Sequence, residues 1–179
     1  KVLAALARRG GGSPRVLGRH QEALRDIVAR RIDFVGRALA RSDEPLRFDA
    51  AGSARLAKGW TSKQEGDARL ERVGSKYLRI AAEGECQASW RCPVTLAAGR
   101  YRFEAKVKTS GVVGAGAGLR ISGKEPEVAW LTGDNALQAI RYEFVVQKGG
   151  GEVVLVAELR ATEGSAAFSL ESLRLVRLK

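Results

Sequence analysis

The sequence predicts a mostly β protein: an antiparallel β-sandwich of the jelly-roll kind over residues 46–179, preceded by an N-terminal amphipathic helix within residues 1–45. Three observations carry that expectation. Apolar residues recur at helical spacing up to about residue 45 and at alternate positions after it. The later part is cut into short runs by glycine-rich punctuation. It also lacks the strand–helix–strand alternation that would call for a parallel sheet.

Residues 2–9 read as the end of a helix, stopped by Gly10, Gly11 and Gly12. Ser13 then offers an N-cap and Pro14 a proline at the first helical position. From there Leu17, Leu24, Ile27, Val28, Ile32, Val35 and Leu39 form one apolar stripe. A stripe of that width needs a cover, either the sandwich or an upstream domain of the same protein. Ser42–Pro45 marks the boundary.

Strands are expected at about 46–49, 53–57, 68–73, 76–82, 86–96, 100–108, 117–122, 127–131, 138–147, 152–160 and 166–177. The clearest is the run in which Tyr101, Phe103, Ala105 and Val107 face one way while Arg102, Glu104, Lys106 and Lys108 face the other. Tyr142, Phe144 and Val146 repeat that pattern. The Gly111–Gly118 segment reads as a flexible hairpin loop. In the last strand the apolar parity switches between Leu170 and Leu173, as a bulge near Ser172 would cause.

Composition narrows the function. A net charge of +11 invites phosphate binding. The cations are spread, however, with ten against five acids in residues 1–45 and twenty-one against fifteen in 46–179. Nucleic-acid recognition calls for a concentrated stripe, so a nucleic-acid partner is not expected. No apolar run approaches the ~20 residues of a membrane span. The chain opens on Lys1 and has no Met, which reads as a fragment or processed product.

Cys86 and Cys92 share one strand. At ~3.3 Å per residue they stand about 20 Å apart, too far for a disulfide. The one histidine, His20, lies in the leader, so neither a triad nor a zinc site is expected within the sandwich. The carboxylate pairs Glu83/Glu85 and Glu125/Glu127 form no evident glycosidase dyad. No catalytic residue is therefore expected.

The order Phe48-Asp49, Gly59-Trp60, Tyr77–Ile80, Val94–Phe103, Arg141–Val146 and Phe168–Leu175 resembles the galactose-binding-like jelly rolls that include many carbohydrate-binding modules. The resemblance implies a non-catalytic glycan-binding module. Trp60 and Trp130, the latter beside Asn135, are its candidate sugar-stacking residues, although a tryptophan at the position of Trp60 also serves in that family as a plug at one end of the sandwich. A concave face carrying Arg91, Glu104, Lys106, Arg120 and Arg141 would suit acidic glycans or proteins better than a neutral polymer. The resemblance also implies a structural calcium on Asp49 and Glu171. The leader, His20–Val35, resembles more loosely the helix that ends CotH-type kinase-like proteins. That implies a bacterial envelope or extracellular setting, with any catalytic part upstream. A structural or protein-contact domain without a sugar ligand is the alternative.

Overall fold

The computed structural model describes residues 46–125 and 130–178. The expected leader helix, and most of the strand expected at 127–131, lie outside these residues. Eight strands form: β1 (Ser53–Arg55), β2 (Thr61–Val73), β3 (Tyr77–Leu96), β4 (Gly99–Ile121), β5 (Leu131–Val146), β6 (Gly151–Ala161), β7 (Glu163–Ser169) and β8 (Arg174–Leu178). All pairings are antiparallel. One continuous sheet runs β1-β8-β4-β6-β3-β2, with β5 on β4 and β7 between β3 and β4.

The sheet folds over on itself across a shared core. Trp60, just before β2, stacks on Phe103 of β4 with ring centroids 6.2 Å apart. Leu56 donates its N–H to the Leu173 carbonyl at 2.9 Å, tying the approach to β2 onto the approach to β8.

β4 belongs to both halves. Its N-terminal part lies between β8 and β5, with Glu104 opposite both Arg174 and Arg141. Its C-terminal part lies against β6, with Gly116 opposite Arg160 and Ile121 opposite Leu155. Between them the register against β5 shifts three times, from Val107 to Ala117. Such shifts bend a strand and increase its twist. The segment expected to be a loop is therefore the bent middle of a long strand. Gly116, at φ 112°, takes a backbone conformation that a side chain would oppose.

Two other differences have local causes. The runs expected at 76–82 and 86–96 are one strand, because the polar Glu83-Gly84-Glu85 stretch stays in the sheet as a bulge of β3 opposite Asp67 of β2. The parity switch near Ser172 is a turn, not a bulge. The Ser172 and Leu173 N–H groups both donate to the Ser169 carbonyl, at 3.1 and 3.2 Å, and separate β7 from β8.

The core follows the alternation. Tyr101, Phe103, Val107, Leu155, Leu159, Phe168, Leu173 and Leu175 are all fully buried. A chain of rings, Phe48–Tyr101–Phe144–Tyr142, spaced 5.8–6.2 Å, fills one end. Cys86 and Cys92 are buried free thiols on the core side of β3, and burial pushes the Cys92 thiol up to about 11.

Candidate binding groove

The charged residues read as one concave face sit on two. Because β4 crosses between the halves, Glu104, Lys106 and Arg141 lie on the outer face of β8-β4-β5. Arg91 and Arg120 lie on the outer face of β3-β6-β4, each beside Val156.

On the first face an open groove of about 810 Å³ is lined by Glu104, Lys106, Leu137, Ile140, Arg141, Glu171 and Arg174, among others. Alternation explains why these side chains meet. Tyr101, Phe103, Ala105 and Val107 turn inward, so Arg102, Glu104 and Lys106 turn out. β5 does likewise with Tyr142 and Phe144 in, Arg141 and Glu143 out. The turn before β8 brings Glu171 and Ser172 to the rim, and the Lys106 N–H donates to Ser172 Oγ at 2.7 Å.

Glu104 is the fixed element of the groove. Its Oε1 accepts from Arg102 Nε at 2.5 Å and its Oε2 from Arg174 Nε at 2.6 Å. Burial pushes its carboxyl up, but the hydrogen bonds from Arg174 and Arg102 outweigh that and hold it below the ordinary carboxylate range. A carboxylate clamped in its ionised form by two guanidiniums is poorly suited to act as a general acid. Arg141, directly opposite Glu104, and Lys106 are exposed and make no ion pair with the described residues.

The other sequence candidates lie elsewhere. Trp60 is 6% exposed and donates its indole N–H to the Leu56 carbonyl at 2.7 Å, so the ring serves the core as a plug. Trp130 packs against Gly118 and carries Arg160 at 5.1 Å from its centroid. Asn135 spends its amide on Thr109 Oγ1 (2.8 Å) and the Thr132 carbonyl (2.7 Å), bracing β5 against β4. Arg91 donates to Ser122 Oγ at 2.5 Å.

Asp49 and Glu171 do not fit a shared calcium. Asp49 Oδ1 accepts from the Ala51 and Ser53 N–H groups at 2.9 and 2.8 Å, capping its own turn. That turn docks on the C-terminal half of β8, where Arg177 N–H donates to the Gly52 carbonyl, whereas Glu171 precedes the first residue of β8. Among the described residues no group of three or more His, Cys, Asp or Glu is arranged to hold a metal.

The second face holds a feature that spacing alone did not signal. Glu158 lies on the side of β6 opposite core residues Leu155, Ala157 and Leu159, yet is 1% exposed. Arg120 grips it with two nitrogens: Nε donates to Oε2, and Nη2 to Oε1 at 3.0 Å. Gln87 adds a third hydrogen bond at 2.7 Å. Beside this cluster, a Cβ on Gly118 would fall inside the space of the Trp130 ring. Gly118→Ala is therefore expected to displace Trp130 and cost about 1–3 kcal/mol, the range for overpacking. Tryptophan emission and the urea midpoint would shift together; an unchanged midpoint would refute the close approach.

The fold and the groove together define an antiparallel β-sandwich with an open, charged groove on one outer face. Solved structures similar to this chain include TmCBM61 in complex with beta-1,4-galactotriose, at 14% identity and TM-score 0.48, covering 68% of this chain and 90% of that one. A family 35 carbohydrate-binding module from Clostridium thermocellum matches at 15% identity and TM-score 0.48, over 70% of this chain and 98% of that one. The enzymatically active domain of bacteriophage CBA120 tailspike protein 4 matches at 10% identity and TM-score 0.49, over 74% of this chain but 22% of that one. No protein-family model matches the sequence, and no curated protein matches it significantly.

Proposed function

We propose that residues 46–179 act as a non-catalytic glycan-binding module, taking a short stretch of sugar in the groove over β4 and β5, and that the module serves a larger extracytoplasmic bacterial protein. The observation that carries this reading is the groove itself. It is an open trough on a strand-built face, where planar polar groups (Glu104, Arg141, Arg174) stand beside apolar Leu137 and Ala139. Hydroxyl-rich ligands need such a mixture, with fixed donors and acceptors for O–H groups and apolar surface for C–H groups. The order of jelly-roll motifs along the chain supports the same reading, and the CotH-like leader supports the extracytoplasmic setting. The clamped state of Glu104 speaks for binding without catalysis.

The alternative, a protein-contact domain, draws on one observation: Leu137 and Val145 stand 46% and 58% exposed on this same face. The test is a screen on a glycan array followed by calorimetry with Ala139→Trp, which fills the exposed groove floor, and with Trp130→Ala. Sugar binding lost only in Ala139→Trp is the expected result. Loss only in Trp130→Ala moves the site to the second face, and no glycan bound at all leaves the protein-contact reading.

A further inference from the structure

Across the outer face, one cross-strand row reads Arg55 on β1, Arg174 on β8, Glu104 on β4 and Arg141 on β5, each directly opposite the next. The row spans three inter-strand spacings, about 14 Å. Like charges placed directly opposite in an antiparallel pair destabilise a sheet, and Arg55–Arg174 is such a pair. The single acid in the row is already shared, since Glu104 accepts from Arg174 within the row and from Arg102 of the row beside it. Arg141 lies on the other side of Glu104 with no ion pair among the described residues, and Lys106 stands two residues along β4 in the same state. Even with Glu171 at its rim, the groove is lined by Lys106, Arg141 and Arg174 against Glu104 and Glu171.

Local charge rules broken at one place, on a fold that obeys its patterning elsewhere, mark a site whose balance is completed by something bound. We propose that the groove selects an anionic glycan, with Lys106 and Arg141 receiving a carboxylate or sulfate of the sugar while Glu104, held by Arg102 and Arg174, accepts hydrogen bonds from hydroxyl groups. This inference rests on the glycan reading above and adds the ligand's charge and the two residues that read it. A guanidinium presents a planar fork that matches an oxyanion, and a lysine supplies a point charge; together they grip one anionic group. The short row and the apolar surface of Leu137 and Ala139 favour a sugar ring over an extended phosphate backbone.

The test uses the whole chain with matched probes: oligogalacturonate, the same oligomer with its carboxylates reduced to alcohols, chondroitin sulfate and double-stranded DNA. Affinities are measured at two salt concentrations for the wild type and for Lys106→Ala, Arg141→Ala and Arg141→Lys. Both sites are exposed, and the Lys106 backbone N–H keeps its Ser172 bond in the variant, so melting temperatures should stay within a few degrees of wild type.

The expected result is binding of oligogalacturonate or chondroitin sulfate, at least about tenfold weaker for the neutral oligomer and for each alanine variant, with Arg141→Lys between. Which of the two anionic probes binds tells carboxylate from sulfate recognition. Equal binding of the charged and reduced oligomers overturns the inference and leaves the glycan reading intact. No glycan bound overturns both. Binding of DNA as tight as that of the anionic sugars, falling steeply with salt and indifferent to the two substitutions, overturns the inference in favour of unspecific polyanion attraction.

Discussion

Replacing Glu158 by Gln is expected to cost about 3–5 kcal/mol of folding stability, because it leaves the Arg120 guanidinium buried with no anion to meet. Glu158 is 1% exposed and Arg120 7%, so water cannot rescue either charge. The same physics predicts that replacing both partners by apolar residues of similar size, Arg120→Met with Glu158→Leu, recovers most of the loss. Urea unfolding of Arg120→Met, of Glu158→Leu and of the double variant measures this directly. Additive losses would show that the pair is not the unit described.

A pH profile adds an independent readout. Burial pushes the Glu158 carboxyl up, yet the hydrogen bonds from Arg120 and Gln87 and the charges of Arg120 and Arg160 hold it below the ordinary carboxylate range. A carboxyl held low contributes stability that is complete above its unfolded pKa, roughly 4.3, and is lost as pH falls through the lowered value. Wild-type protein should therefore lose stability progressively below about pH 4, and Glu158→Gln should show a flatter acid limb.

Phe103→Ala is expected to cost a further class of energy, about 3–5 kcal/mol for an excavated core ring. Phe103 is fully buried, and Trp60 stacks on it within the core. Against a typical domain stability of about 5–15 kcal/mol, the variant should sit close to unfolding at 37 °C. Phe103→Leu, which keeps most of the volume, should cost less than about 1.5 kcal/mol. The comparison of urea midpoints decides whether the ring packs as described: similar small losses for both variants would contradict a filled core at this point.

How far the sequence could be read depended on whether the informative signal was local. Alternation at Tyr101–Val107 and Tyr142–Val146 named the inward residues of β4 and β5 correctly, because a period of two is a property of neighbours. The continuity of β4 through Gly111–Gly118 was hidden, since glycines there signal a loop as readily as a bent strand. That one error joined Arg91 and Arg120 to Glu104 and Arg141 on a single imagined face. Glu104 and Arg141 do share a groove, and their cross-strand register follows from the pairing of β4 with β5. Trp60 and Trp130 carried the sequence signature of sugar platforms, but what holds a tryptophan ring is decided by distant partners: Phe103 for one, Gly118 and Arg160 for the other. That Asp49 and Glu171 lie toward different ends of β8 was hidden for the same reason, because nothing in the spacing tells which end each approaches. The Arg120–Glu158 lock joins residues 38 apart and left no local trace at all.

The order β1-β8-β4 has a consequence for how the protein is made. β8 is the last described strand to leave the ribosome, yet it fills the slot between β1 and the first residues of β4. Until residues 174–178 emerge, β1 has no neighbour to pair with. The Arg100–Glu104 edge of β4 is likewise open on that side, over core residues Tyr101 and Phe103. A chain still lacking residues 174–178 therefore leaves one sheet edge unpaired, the condition under which β proteins join the wrong strand or one another. The arginines on that edge, Arg100 and Arg102, are the kind of charge that keeps a waiting strand apart from its copies. Charge on this edge thus has a use before the sheet has closed.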